Sequence, residues 1–221
     1  MPKKVSTRKE ANHFFVGVML DRMVKASVAW NSGKLIVREY GSGETDFWKI
    51  IDVTNRDELY EFMKSGDGGK ALHFYHGEMT DNLKRAAGLM LEKYDGDPRK
   101  IWQVGKNNIE EIKKRFKEFH GIGEQLASMA VMILVRDYKE LEGKKSFPFL
   151  VPKENVHTKK VFRRTGLTEG KQTVVEVARE LNPDFPAILD EPAWVIGKEY
   201  CFKNNPNCKE CPITGVCGKN I

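Results

Sequence analysis

Cysteine is missing from the chain until position 201. That excludes a fold held together throughout by disulfides, and it makes the late appearance of this residue a local feature with a local cause. Long apolar runs are missing as well. No stretch reaches the length of a bilayer span, so no membrane partner is expected. The first residues, Met1-Pro2-Lys3-Lys4-Val5, carry no apolar signal region, and a cytoplasmic location that keeps thiols reduced is the expectation. There is no internal repeat and no low-complexity tract. Negative charge is the scarcer sign: 37 lysines and arginines face 31 aspartates and glutamates, for a net charge of +6. Basic chains favour polyanions, of which nucleic acid is the commonest inside cells. Charge of this size alone does not identify a partner.

What is present suffices for a substantial core. The chain has 221 residues and is 40% hydrophobic, enough for one large domain or two smaller lobes. Helical periodicity dominates. The pattern predicts one helix from Asn12 to Ala29, with Phe15, Val18, Met19, Arg22 and Met23 at related spacings. A basic and polar stretch from Asn31 to Thr45 follows, broken at Gly33, Gly41 and Gly43, with Leu35-Ile36-Val37 as a short extended piece. Thr54 is placed to cap a short helix whose first turn holds Asp57 and Glu58. A loop is read at Ser65-Gly66-Asp67-Gly68-Gly69. Further helices are predicted at Thr80–Tyr94, Asn107–Phe119, Gln125–Asp137, Val156–Thr165, Thr173–Leu181 and Asp190–Tyr200, with Pro148 and Pro152 bracketing a connector. The helix Gln125–Asp137 is apolar on most sides and reads as buried.

All four cysteines, Cys201, Cys208, Cys211 and Cys217, fall within seventeen residues in the order C-x6-C-x2-C-x5-C. Four thiolates on one short loop suit a metal, because soft sulfur holds zinc or iron–sulfur clusters. Zinc sites usually pair their ligands as two close couples. Here two long gaps flank a single short one, which favours a cluster.

A second informative segment is Phe119-His120-Gly121-Ile122-Gly123-Glu124-Gln125-Leu126-Ala127. One helix ends, two glycines turn the chain, and a new helix begins. Gly121 and Gly123 allow close approach of a ligand to the backbone. The unpaired N–H groups at the new helix start favour an anion, for which a nucleic-acid phosphate is a natural candidate. An ordinary turn between helices has the same pattern.

The hairpin lies about eighty residues before the cysteine loop. In this order the two segments resemble the helix-hairpin-helix DNA glycosylase superfamily, and the C-terminus is similar to that of endonuclease III and the adenine DNA glycosylases. The run Trp194-Val195-Ile196-Gly197-Lys198-Glu199-Tyr200-Cys201 resembles the family's approach to its cluster, and Pro206-Asn207-Cys208-Lys209-Glu210-Cys211-Pro212 its cluster loop. Val156-His157-Thr158-Lys159 stands where the family has V-D-T-H, and Phe14-Phe15-Val16-Gly17-Val18-Met19-Leu20-Asp21-Arg22 is similar to its early helix. The resemblance runs from Asn12 to Cys217, and residues 32–76 contribute least to it. It implies an all-α, two-lobed fold with a cleft, lobes at 1–143 and 144–221, a [4Fe-4S] cluster on the four cysteines, and double-stranded DNA as partner of a monomer.

The family's catalytic residues are not carried over. The position of the attacking lysine in bifunctional members is Gln125, and an amide cannot form a Schiff base. The position of the V-D-T-H aspartate, which stabilises the sugar cation, is His157. A neutral imidazole can activate water but supplies no negative charge. The position of the acid glutamate of adenine-specific relatives is Gly17. Glu154 and Asp21 are the candidate replacements, with His157 beside Glu154 on the expected catalytic helix. Gly121, Gly123, Gln125, Arg22, Lys159, Lys160, Arg163 and Arg164 are the expected DNA-binding residues. Arg22 stands near where the family places a glutamine that fills the gap left by a flipped base, a role an arginine can take. His73, Tyr75 and His76 can line a base pocket or form a helix contact.

The leading expectation is a monofunctional DNA N-glycosylase with a non-standard catalytic site, working in base excision repair. A catalytically silent DNA-binding protein, or an enzyme making another modification of a flipped base, are the other readings of the same scaffold.

Overall fold

The computed structural model describes residues 1–41, 47–66, 68–103, 108–141, 147 and 150–219. It is helical, with no strand among the described residues. No helix among them is long and apolar enough to cross a membrane. The chain divides into two compact units, Met1–Gly143 and Lys144–Ile221.

The first unit holds α1 (Arg8–Leu20), α2 (Ala26–Tyr40), α3 (Phe47–Val53), α4 (Arg56–Ser65), α5 (His76–Tyr94), α6 (Lys100–Gln103), α7 (Ile109–Lys117) and α8 (Glu124–Arg136). An aromatic core runs through it. Phe15 packs edge-on against Trp48 and Phe119, and Trp102 stacks on Phe116.

The start of this unit departs from the periodicity. The single helix expected at Asn12–Ala29 is two. A capping box between Thr7 and Glu10 starts α1 earlier, α1 stops at Leu20, and α2 restarts at Ala26. The turn between them contains no glycine or proline; Met23 takes the left-handed φ of 59° that makes the corner. The expected glycine-broken stretch and the extended Leu35-Ile36-Val37 lie inside α2 up to Tyr40. Gly33 is a contact rather than a break: a Cβ there would sit 2.9 Å from the backbone nitrogen of Gly17. Two glycines thus let α1 and α2 touch backbone to backbone. The expected break at Gly43 lies outside the described residues.

Smaller shifts have local causes. α3 was not anticipated. Asn55, not Thr54, caps α4, while the Thr54 hydroxyl bonds back to Ile50 O at 2.6 Å. Thr80 lies inside α5, its hydroxyl donating to His76 O, so the helix begins before the expected cap. Asn108 caps α7; the expected start at Asn107 lies outside the described residues, as do Asp67 and Pro148.

The second unit holds α9 (Val156–Thr165), α10 (Val174–Leu181), a 3-10 turn (Pro186–Leu189) and α11 (Asp190–Glu199). Asn155 and Thr158 form the capping box of α9, and Thr173 and Glu176 that of α10. Val161, Phe162, Val174, Val177 and Ala193 form its core. Gly197 of α11 lies against His157, where a Cβ would come within 2.7 Å of the histidine's own Cβ.

Candidate nucleic-acid interface and cysteine loop

The hairpin between α7 and α8 is built from the first unit alone. Phe119, 1% exposed, anchors the turn in the core, and the Ile122 N–H donates to Phe119 O at 3.0 Å. The two glycines are not equivalent. Gly121 has φ of 87°, and a Cβ there would lie 2.6 Å from Asn82 Nδ2. Asn82, buried in α5, also shares a 2.7 Å hydrogen bond between its Oδ1 and His120 Nδ1. Gly123 has an ordinary φ of −86°, and a Cβ there would meet nothing within 4 Å. The fold therefore needs glycine at 121 and leaves the space around 123 open. Asn82 was missed by the sequence reading; its signal was a polar, poor helix former in mid-helix.

Gly123 is the N-cap of α8 and no side chain caps that end. Thr7, Asn55, Asn108, Asn155 and Thr173 cap α1, α4, α7, α9 and α10, while α2, α5 and α11 start without a side-chain cap as α8 does. The first-turn N–H groups of α8 are thus left for an external acceptor. Gln125 is exposed on this turn. Its neighbour Glu124 is held by Lys113 Nζ at 2.5 Å and Lys117 Nζ at 2.8 Å, which pull its carboxyl pKa down to about 2.

Asp21 and Arg22 occupy the corner after α1. Asp21 is half-buried and its N–H donates to Val18 O. The Arg22 guanidinium pairs with Glu78 and lies 5.9 Å from the Tyr75 ring centre. His73 fastens the corner. Burial keeps its pKa below the usual value. Its Nε2 therefore donates to Arg22 O at 3.0 Å and its Nδ1 accepts the Tyr75 N–H at 2.9 Å. Of the three aromatic candidates, His73 is a structural joint, Tyr75 is exposed beside it, and His76 packs on Tyr60. Gly17 leaves no room for an acid: a Cβ there would lie 2.1 Å from the Trp30 ring.

In the second unit the candidate residues are largely engaged. Glu154 accepts the Val174 N–H at 2.8 Å with one oxygen and pairs with Lys159 at 3.4 Å with the other, so it fastens the start of α10. His157 packs against Gly197 and edge-on to Trp194, with its Nδ1 buried and without a hydrogen bond. The basic run splits in two. Lys159 and Arg163 are exposed. Lys160 donates to Gly197 O at 3.0 Å, and Arg164 donates to Phe202 O at 2.6 Å and Lys203 O at 2.9 Å. Of these four cations expected to meet phosphate, Lys160 and Arg164 are turned inward to α11 and the cysteine loop, while Lys159, paired with Glu154, and Arg163 face solvent.

That loop is tied to α9 and α11. Cys201 N–H donates to Ile196 O, Gly218 N–H to Thr165 O, and Arg164 Nη1 lies 3.5 Å from Cys201 Sγ. None of the cysteines is in a disulfide. All four line one hollow that opens to solvent and is walled by Val161, Ile196 and Ile213. Among the described residues no three side chains converge on the spacing of a single metal ion. The two observations differ in scale: ligands crowd closely around one ion, whereas an iron–sulfur cluster carries its thiolates at its corners. Four thiols around one apolar-walled hollow fit the larger group.

No protein-family model and no curated protein matches the chain. Solved structures do. A trapped endonuclease III–DNA covalent intermediate is 15% identical, with 99% of this chain and 87% of that one covered and a TM-score of 0.63. A thermostable thymine-DNA glycosylase is 18% identical, with 95% and 83% covered and a TM-score of 0.59. The apo 8-oxoguanine glycosylase/lyase of Clostridium acetobutylicum is 11% identical, with 85% and 59% covered and a TM-score of 0.52. The chain has the helix-hairpin-helix DNA glycosylase fold. At these identities the likeness concerns the fold, and the chemistry has to be argued from this chain's own residues.

Proposed function

We propose that the protein binds double-stranded DNA as a monomer in the cytoplasm and excises a flipped base by hydrolysis, without forming a covalent imine. The observation that carries the reading is the uncapped start of α8 behind Gly121 and Gly123, in a fold shared with DNA glycosylases. Backbone N–H groups there hold a phosphate, Lys159 and Arg163 add phosphate contacts, and Arg22 enters the gap left by the base. Gln125 has no amine, so the sugar is attacked by water rather than by the protein. We assign Asp21, one turn beyond Gly17 at the corner after α1, to offset the sugar cation. Cys201, Cys208, Cys211 and Cys217 hold a [4Fe-4S] cluster, which when bound cross-links the loop through four Fe–S bonds.

The test is base release from a panel of damaged duplexes. Wild type releases at least one base, and Asp21→Asn abolishes release while DNA affinity stays within a few-fold, since lost transition-state charge lowers rate rather than binding. A second reading, a silent DNA-binding protein, is favoured by one observation: Trp30 fills the space beside Gly17 where an acid would stand. Tight duplex binding with no lesion processed supports that reading, and an unimpaired Asp21→Asn variant overturns the assignment of the acid.

A further inference from the structure

Glu124 stands at the first position of α8, on the turn proposed to receive a phosphate, and places a negative charge there. Its side chain is 57% exposed, yet both oxygens are used: Oε1 meets Lys113 Nζ at 2.5 Å and Oε2 meets Lys117 Nζ at 2.8 Å. The Ser128 hydroxyl lies 3.4 Å from Oε1, and Lys113 has a longer contact with Glu110 at 3.5 Å. Lys113 and Lys117 sit one turn apart on α7, the first helix of the hairpin. Two cations that face the hairpin's anion-binding end are therefore neutralised from within, by a carboxylate in a place where a DNA phosphate would compete for them.

We infer that Glu124 restrains non-specific DNA binding at the hairpin by occupying Lys113 and Lys117, so that attachment depends on the backbone N–H groups of α8 and on contacts elsewhere. The inference rests on the proposed DNA binding at this hairpin. It has a clear physical signature. A lysine held by a carboxylate displaces few of the counterions condensed on DNA, whereas a freed lysine that neutralises a phosphate displaces them and steepens the dependence on salt by about 0.9 per phosphate contact. Specificity gains when non-specific attraction is held down, because undamaged DNA is the main competitor for any lesion.

The test is affinity for an undamaged duplex across a salt series. Glu124→Gln keeps the side chain's shape and removes its charge. It tightens binding at low salt by about fivefold, the scale of one surface charge pair, and steepens the log–log salt slope by about 1, since Lys117 is the exposed member of the pair and Lys113, 13% exposed, keeps its contact with Glu110. Lys117→Gln in the wild-type background changes affinity less than about twofold, since that lysine is already engaged. Lys117→Gln in the Glu124→Gln background removes the gain, and this non-additivity separates a charge effect from a change in helix stability. Thermal melts of each variant confirm that it is folded. An unchanged slope in Glu124→Gln, or a Lys117→Gln effect equal in both backgrounds, overturns the inference while the DNA reading stands. Wild type that binds no duplex at any salt overturns both.

Discussion

At the scale of single residues, similar letters in the sequence have unlike jobs. Gly121 and Gly123 look alike in a G-x-G pattern. Only Gly121 has a left-handed φ and Asn82 against its face; Gly123 has an ordinary φ and open space. Gly121→Ala is expected to cost about 1–3 kcal/mol of stability, from backbone strain and the clash with Asn82, read as a lower midpoint in urea. Gly123→Ser supplies a good N-cap and leaves stability unchanged or higher, while duplex affinity falls because the new side chain occupies the phosphate's approach. A serine variant that binds DNA normally removes Gly123 from the interface. The candidate acids were equally hard to rank by sequence. Glu154 is singled out by sequence for lying near His157, but its partners are Val174 N, twenty residues on, and Lys159. Sequence proximity shows which groups can meet, and only the fold shows which do.

At the scale of elements, capping signals located α9 and misled at Thr54 and Thr80. α9 was read with the right ends because Asn155 and Thr158 mark its start and Gly166 its stop with φ of 82°. The sequence merges α1 with the start of α2 because the corner at residues 21–25 has no glycine or proline, while Gly33, which looks like a break, lies inside α2, and Gly41 does end that helix. Gly17 and Gly33 are there for contact. Gly17→Glu, which places an acid at the position the resemblance assigns to one, is therefore expected to destabilise the first unit by about 1–3 kcal/mol, since the Trp30 ring is in the way. Adding Trp30→Ala recovers part of that loss. A Gly17→Glu protein as stable as wild type would refute the close packing of the two helices. The joint between the corner and α5 makes a pH prediction. Burial lowers the His73 pKa from 6.5, and the same holds for His13, so each contributes stability that is present above pH 6.5 and lost as pH falls below it. The melting temperature should drop between neutral and mildly acid pH. His73→Gln should flatten part of that drop, and His13 supplies the remainder.

At the scale of the whole molecule, charge gave a direction and little detail. A net +6 pointed to a polyanion. The basic run from Lys159 to Arg164 looked like one surface, yet its members divide by their partners. Arg164 holds the carbonyls of Phe202 and Lys203 and reaches Cys201 Sγ, while Arg163 is exposed. The hydrogen-bonding carbonyls lie nearly forty residues away in sequence, which is why periodicity could not separate the two arginines. The difference leads to paired outcomes. Protein purified without air is expected to be brown and to carry about four irons per chain. Arg164→Gln removes the donors that hold the start of the loop, so iron content falls and the colour bleaches faster in air, with duplex affinity reduced only in proportion to cluster lost. Arg163→Gln keeps its iron and weakens duplex binding on all sequences alike, with a salt slope shallower by about 1. Colourless protein holding stoichiometric zinc overturns the cluster, and an Arg164→Gln protein that retains iron like wild type shows that the loop is positioned by its cysteines alone.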